Sequence, residues 1–139
     1  MTKSFVLSHE IMPVVKEILL NNQPVELKIS GQSMRPFYHH QKTIVLLEKP
    51  KVLKHLDVVL YETSSQYKIH RIIKIMPDYY VINGDGLRFK ENIREDQIFG
   101  VVIRHKTHQK WVNSHQFLYI LKVKLWSLLR PFRRFLIRR

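Results

Sequence analysis

Between Val25 and Arg104 the chain is written in short runs of alternating or continuous apolar residues, each closed by a polar or glycine-containing turn. Val25, Leu27 and Ile29 alternate with Glu26, Lys28 and Ser30. A period of two sends successive side chains to opposite sides of the backbone, so this run predicts a half-buried strand. Residues 43–48 (TIVLLE), 57–62 (DVVLYE), 66–76 (QYKIHRIIKIM), 79–83 (YYVIN) and 98–104 (IFGVVIR) predict further strands, with an edge at 111–112. Thr63-Ser64-Ser65 and Asn83-Gly84-Asp85-Gly86 supply turn chemistry between them. Many short strands at close spacing predict a mainly β fold, a twisted β-barrel or sandwich, rather than alternating β-α units.

The period changes at both ends. Phe5, Ile11, Val14, Val15, Ile18 and Leu19 lie at near-helical spacing and predict a short helix over 5–21, with Pro13 in an early turn or dividing the segment. Residues 115–139 place Leu118, Leu121, Leu125, Leu128, Phe132 and Phe135 on roughly one stripe, with Trp126 and Leu129 near it. A basic amphipathic C-terminal helix follows, kinked at Pro131 because proline removes a backbone donor and clashes with the preceding turn. The expected organisation is one domain over residues 1–114 and the helix over 115–139. A chain of 139 residues is too short for two ordinary domains.

Cysteine is absent, which excludes thiol nucleophiles, disulfide scaffolds and cysteine-ligated zinc. No metal-ligand pattern is read, and no cofactor is expected. The net charge of +13 is polarised: residues 97–139 carry +10 and the first 96 only +3. An anionic surface is the expected partner of such a basic end, and a membrane fits it better than nucleic acid, because no nucleic-acid-binding motif accompanies the charge. Polar His9, Glu10 and Lys16 interrupt the N-terminal apolar run, so no secretory signal is read there. No window has 18 consecutive apolar residues, as a spanning helix would.

The first strand runs into Ser30-Gly31-Gln32-Ser33-Met34-Arg35-Pro36. A glycine two residues before a serine lets backbone approach a substrate closely, and a serine at a sharp strand exit presents its hydroxyl to a groove. Its own N–H is then free to face a developing oxyanion. A serine hydroxyl is a weak nucleophile and requires a base. His70, in the middle of the run 66–76, supplies one, with Lys68, Ile72 and Lys74 on its face and Tyr67, Ile69, Arg71 and Ile73 on the other. Taken singly, Ser33 is an ordinary loop serine and His70 an ordinary half-buried strand histidine.

Together these residues resemble a known superfamily. Gly31-x-Ser33-Met34-x-Pro36, Leu56-Asp57-Val58-Val59-Leu60-Tyr61, His70-Arg71-Ile72-Ile73, Asn83-Gly84-Asp85 and Phe99-Gly100-Val101-Val102 are similar, in order, to the boxes of signal peptidase I and LexA-type serine peptidases. The likeness covers about residues 25–104. It implies the β catalytic domain of that superfamily, with Ser33 as nucleophile and His70 as general base. A lysine usually fills the base position in the bacterial and LexA-type branches, whereas the endoplasmic-reticulum-type signal peptidases carry histidine, so the chain resembles the Ser-His branch. The resemblance offers Asp85 as the acid that orients the histidine, and a second acidic position falls near Glu91. Gly31, Gln32 and Met34 are expected to line the substrate and oxyanion side.

The resemblance implies cleavage of a peptide or pre-protein substrate. Self-cleavage of the LexA type lacks its usual Ala-Gly or Cys-Gly site, because the chain has no alanine or cysteine and Gly31 is its first glycine. A degenerate, non-catalytic membrane-associated binding module is the other alternative. With no N-terminal anchor read, the expected location is cytoplasmic and peripheral, on the inner face of the cell membrane, held through the basic C-terminal helix.

Overall fold

The computed structural model describes residues 2–64 and 66–129. Along the chain these form β1 (Lys3–Val6), α1 (Met12–Leu20), β2 (Val25–Lys28), β3 (Ile44–Glu48), β4 (Val58–Thr63), β5 (Gln66–Ile75), β6 (Tyr80–Asn83), β7 (Lys90–Ile93), β8 (Ile98–Lys106), β9 (Val112–Asn113) and α2 (Phe117–Leu128). The mainly β reading holds, but the barrel does not close. All nine strands belong to one mixed sheet in the order β1-β2-β3-β8-β4-β5-β6-β7, with β9 added on β8. The terminal strands β1 and β7 meet no partner beyond β2 and β6, so the sheet is open among the described residues. Register shifts at Leu46/Leu47, Leu60/Tyr61 and Ile72/Lys74 interrupt the ladders. Such bulges bend strands and sharpen twist, which curls a sheet without requiring closure.

The alternation read in the sequence divides the sheet into two buried faces. Val58, Leu60 and Ile69 pack with Met12, Val15 and Leu19 of α1. Val59, Tyr61, Ile72, Ile82, Ile93 and Ile98 form a separate cluster on the other side. Burial on both faces is why β4 reads as a continuous apolar run rather than an alternating one. Each fully covered Val or Leu contributes about 1.5–3 kcal/mol relative to exposure.

The N-terminal segment departs from expectation. Phe5 and Val6 belong to a strand, β1, which pairs in parallel with β2, and the helix is confined to Met12–Leu20. Pro13 sits in the first turn of α1, where its missing N–H costs no helical hydrogen bond. Strand β7 was not anticipated, and its ladder with β6 places Glu91 opposite Ile82.

Helix α2 also differs from the single-stripe reading. Its packed face is Tyr119 and Val123, covering Leu56. Leu118, Leu121, Leu125 and Leu128 point outward, the last 76% exposed. The helix is therefore apolar on two sides, and the polar atoms of Tyr119 and Trp126 select the side that docks. Arg130, Pro131, Phe132, Arg133, Arg134, Phe135, Arg138 and Arg139 lie outside the described residues, as does the kink expected at Pro131. Among the described residues no helix is long and apolar enough to cross a membrane.

Candidate active site

The Ser33 loop is held against the body from below. Gly31 takes φ +99°, a conformation that side chains rarely adopt. Its N–H donates to His40 Nδ1 at 2.7 Å. Behind the serine, Met34 is buried, and its Sδ accepts from the Asp85 N–H at 3.4 Å. The Gly86 N–H donates to the Ser33 carbonyl at 2.9 Å. The Gly84–Gly86 turn thus forms the floor of the loop. A Cβ on Gly84 would stand 2.6 Å from the Ser33 carbonyl oxygen and 3.1 Å from the His70 ring, so no side chain fits there. Ser33 itself is half-buried, with Gly31 and Gln32 open to solvent. Among the described residues its backbone N–H has no acceptor.

Strand β5 brings His70 to this loop. Val59 is paired with His70 and Tyr61 with Lys68, so Tyr61 and His70 share one side of the β4–β5 ladder. His70 Nε2 lies 3.0 Å from Ser33 Oγ, across 37 residues of sequence. The other ring nitrogen, Nδ1, lies 2.9 Å from the Tyr61 hydroxyl. Tyr61 in turn donates to Glu91 Oε1 at 2.8 Å, and Lys68 Nζ donates to the same oxygen at 3.0 Å. Burial lowers the His70 pKa to about 4, with Lys68 acting in the same direction and the charges of Glu91 and Asp85 against it. At neutral pH the imidazole is therefore neutral, as a general base requires. Burial raises Glu91, but the hydrogen bonds from Tyr61 and Lys68 outweigh it and hold the carboxyl below its ordinary range, ionised.

Asp85 goes elsewhere. Both of its carboxylate oxygens accept from Arg71, from Nε and Nη2, each at 2.8 Å, and the pair is buried. Arg71 follows His70 in sequence and so projects from the opposite face of β5. It also donates to the Leu56 carbonyl at 2.9 Å and to the Tyr119 hydroxyl at 2.6 Å. Leu56 has φ +75°, unusual for a branched side chain, and is fixed at both ends: its N–H bonds the Ile72 carbonyl and its carbonyl bonds Arg71. Trp126 of α2 donates through Nε1 to the Asp85 carbonyl at 2.7 Å. The acid offered first for orienting His70 thus braces the loop, while the carboxylate linked to the ring is Glu91, through Tyr61.

The structure brings together Ser33 and His70, and sets Gly31 and Gln32 beside them. The side chain of Met34 is withdrawn beneath the loop. Tyr61 is the residue that sequence reasoning passed over, although a signal was present. Turn chemistry in the sequence after Thr63 points to a hairpin, and its ladder, closed by the Thr63–Gln66 pair, sets residues 61 and 68, and 59 and 70, face to face. Among the described residues no group of three or more His, Asp or Glu side chains is placed to hold a metal ion. The chain matches no protein-family model and no curated protein.

Proposed function

We propose that the chain is a serine endopeptidase of the signal-peptidase type, which cleaves a leader, signal or pro-peptide in trans. The 3.0 Å contact between Ser33 Oγ and His70 Nε2 carries this reading, because it joins the hydroxyl of a half-buried serine to an imidazole that burial keeps neutral, held in β5. Ser33 Oγ attacks the scissile carbonyl as its proton passes to Nε2, and the Ser33 N–H faces the developing oxyanion. His70 then returns the proton to the leaving amine. Water, activated by the same nitrogen, releases the acyl group from Ser33. Cleavage in trans is favoured because the chain lacks the Ala-Gly or Cys-Gly dipeptide that self-cleavage of the LexA type uses. A non-catalytic module would not need the hydroxyl and the ring at hydrogen-bonding distance.

A serine-reactive acylating probe tests this directly. Wild-type protein is expected to label at Ser33, and Ser33→Ala and His70→Ala to lose the label. Absence of wild-type labelling, with unchanged peptide processing in cells carrying Ser33→Ala, would overturn the assignment.

The proposed workplace is the cytoplasmic face of an anionic membrane. The outward row Leu118, Leu121, Leu125 and Leu128, flanked by Lys122 and Lys124, favours an interface that is apolar within and negative at its surface. Sedimentation with phosphatidylglycerol vesicles should retain wild type and release a Leu121→Asp/Leu125→Asp variant. Equal pelleting of the two removes this part of the proposal.

A further inference from the structure

A Ser-His pair needs a third group that fixes the ring tautomer, and the two acids nearest the ring differ in what they can reach. Asp85 spends both oxygens on Arg71. Glu91 reaches the ring through one intermediary, the Tyr61 hydroxyl, which stands between His70 Nδ1 and Glu91 Oε1. We infer that Tyr61 and Glu91 together are the orienting arm of His70, so that the proposed peptidase works as a Ser33–His70–Tyr61–Glu91 chain rather than with Asp85. This inference rests on the Ser33–His70 reading.

The donor inventory fixes the direction of every bond in that chain. An ionised carboxylate only accepts, and a phenol carries one proton. The Tyr61 proton is therefore committed to Glu91, and its oxygen is left to accept from His70. That requires a proton on Nδ1, which leaves the Nε2 lone pair directed at Ser33. The hydroxyl of Ser33 then donates to Nε2. A proton on Nε2 instead would place the Nδ1 lone pair against a phenol oxygen whose proton already points away.

The arrangement also sets how strongly the arm acts. A carboxylate bonded directly to the ring stabilises the imidazolium by full charge, whereas Tyr61 interposes a neutral oxygen and keeps the charge of Glu91 one residue away. Lys68 shares Glu91 and weakens it further. When Ser33 attacks, its proton moves to Nε2 and Nδ1 keeps its own proton on Tyr61. Nothing is exchanged with Glu91. Tyr61 and Glu91 are positioning residues.

The test uses the full chain. Nitrogen-15 chemical shifts of the His70 ring at pH 7 should show Nδ1 protonated and Nε2 bare in wild type. In Tyr61→Phe, which keeps the ring packing but removes the acceptor, the tautomers should mix. The rate of Ser33 labelling by a fluorophosphonate should fall about 100-fold in Tyr61→Phe. In Glu91→Gln, which still accepts from Tyr61, it should fall only several-fold, with the acid limb of its pH profile moved to lower pH, because the charges facing His70 would then be Lys68 and Asp85 without Glu91. Wild type with Nε2 protonated overturns the arm, whether or not either variant folds. So does Ser33-dependent labelling that Tyr61→Phe leaves at the wild-type rate. No labelling of wild type, together with the stated tautomer, fells the peptidase reading and leaves the arm standing.

Discussion

His70 and Arg71 are neighbours in sequence and occupy opposite faces of β5, and the two faces have been put to different uses. On the His70 face the bonds run in single file from Ser33 to Glu91, and the outermost members, Lys68 and Glu91, are 31% and 28% exposed. On the Arg71 face a bidentate ion pair is sealed beneath Tyr119 and Trp126. Burial works against the Arg71 charge, but the coulombic pull of Asp85 and its hydrogen bonds outweigh it and hold the guanidinium protonated. In the proposed peptidase the first face moves a proton, and the second holds the loop still. They meet at Ser33, whose carbonyl bonds Gly86, one residue beyond Asp85, while its hydroxyl bonds His70.

Removing one partner of each ion pair is the sharpest way to break the comparison. Asp85→Ala strands a buried guanidinium and should cost about 3–5 kcal/mol in urea unfolding. Glu91→Ala removes a half-exposed pair and should cost about 1 kcal/mol or less while slowing Ser33 labelling. Equal destabilisation by the two would erase the distinction between a bracing face and a working face.

Protonation gives the next largest effect. Burial lowers both His70 and His105 to about 4, with the charge of Arg71 assisting at His105. Their folded pKa values lie below the unfolded value, so between about 6.5 and 4 the unfolded chain binds more protons. The stability they contribute is complete above about pH 6.5 and is lost as the pH falls through about 4, by up to about 3 kcal/mol for each ring. His105 lies between the rings of Tyr38 and Tyr119, at centroid distances of 5.0 and 4.9 Å. His105→Phe should therefore halve the fall in the urea midpoint between pH 7 and pH 4. Identical slopes in wild type and variant would assign the pH dependence elsewhere.

Trp126→Phe probes the brace most gently. Losing the bond to the Asp85 carbonyl should cost about 1 kcal/mol. Because Asp85 lies under the Ser33 loop, the labelling rate should fall too, although the Trp126 bond goes to the Asp85 carbonyl. A stability change with an unaltered labelling rate would confine α2 to the Arg71 face.

Much of this is legible in the order of residues. Alternation is local, so the strands and the opposite facing of His70 and Arg71 follow from the order of residues alone. The resemblance to the Ser-His signal peptidases singled out Ser33 and His70, which the fold brings to 3.0 Å. Other features depend on which distant segments pair. β1 forms because β2 offers it an edge, and local spacing in 5–21 carries no trace of that partner. The single stripe expected for α2 fails because both of its sides are apolar, and the contacts with Leu56, Arg71 and the Asp85 carbonyl decide which side docks.

The sequence by itself determined that His70 and Arg71 face opposite ways, since a period of two admits no other arrangement within a strand, while the pairing of His70 with Ser33 was implied only by the resemblance. Which acid serves the imidazole was left to the tertiary structure. Asp85 and Glu91 are separated by one short turn, and the chain carries no local rule that sends one to Arg71 and the other to Tyr61. The β6–β7 register and the position of α2 make that choice, because a hydrogen bond of 2.8 Å tolerates no shift by a residue.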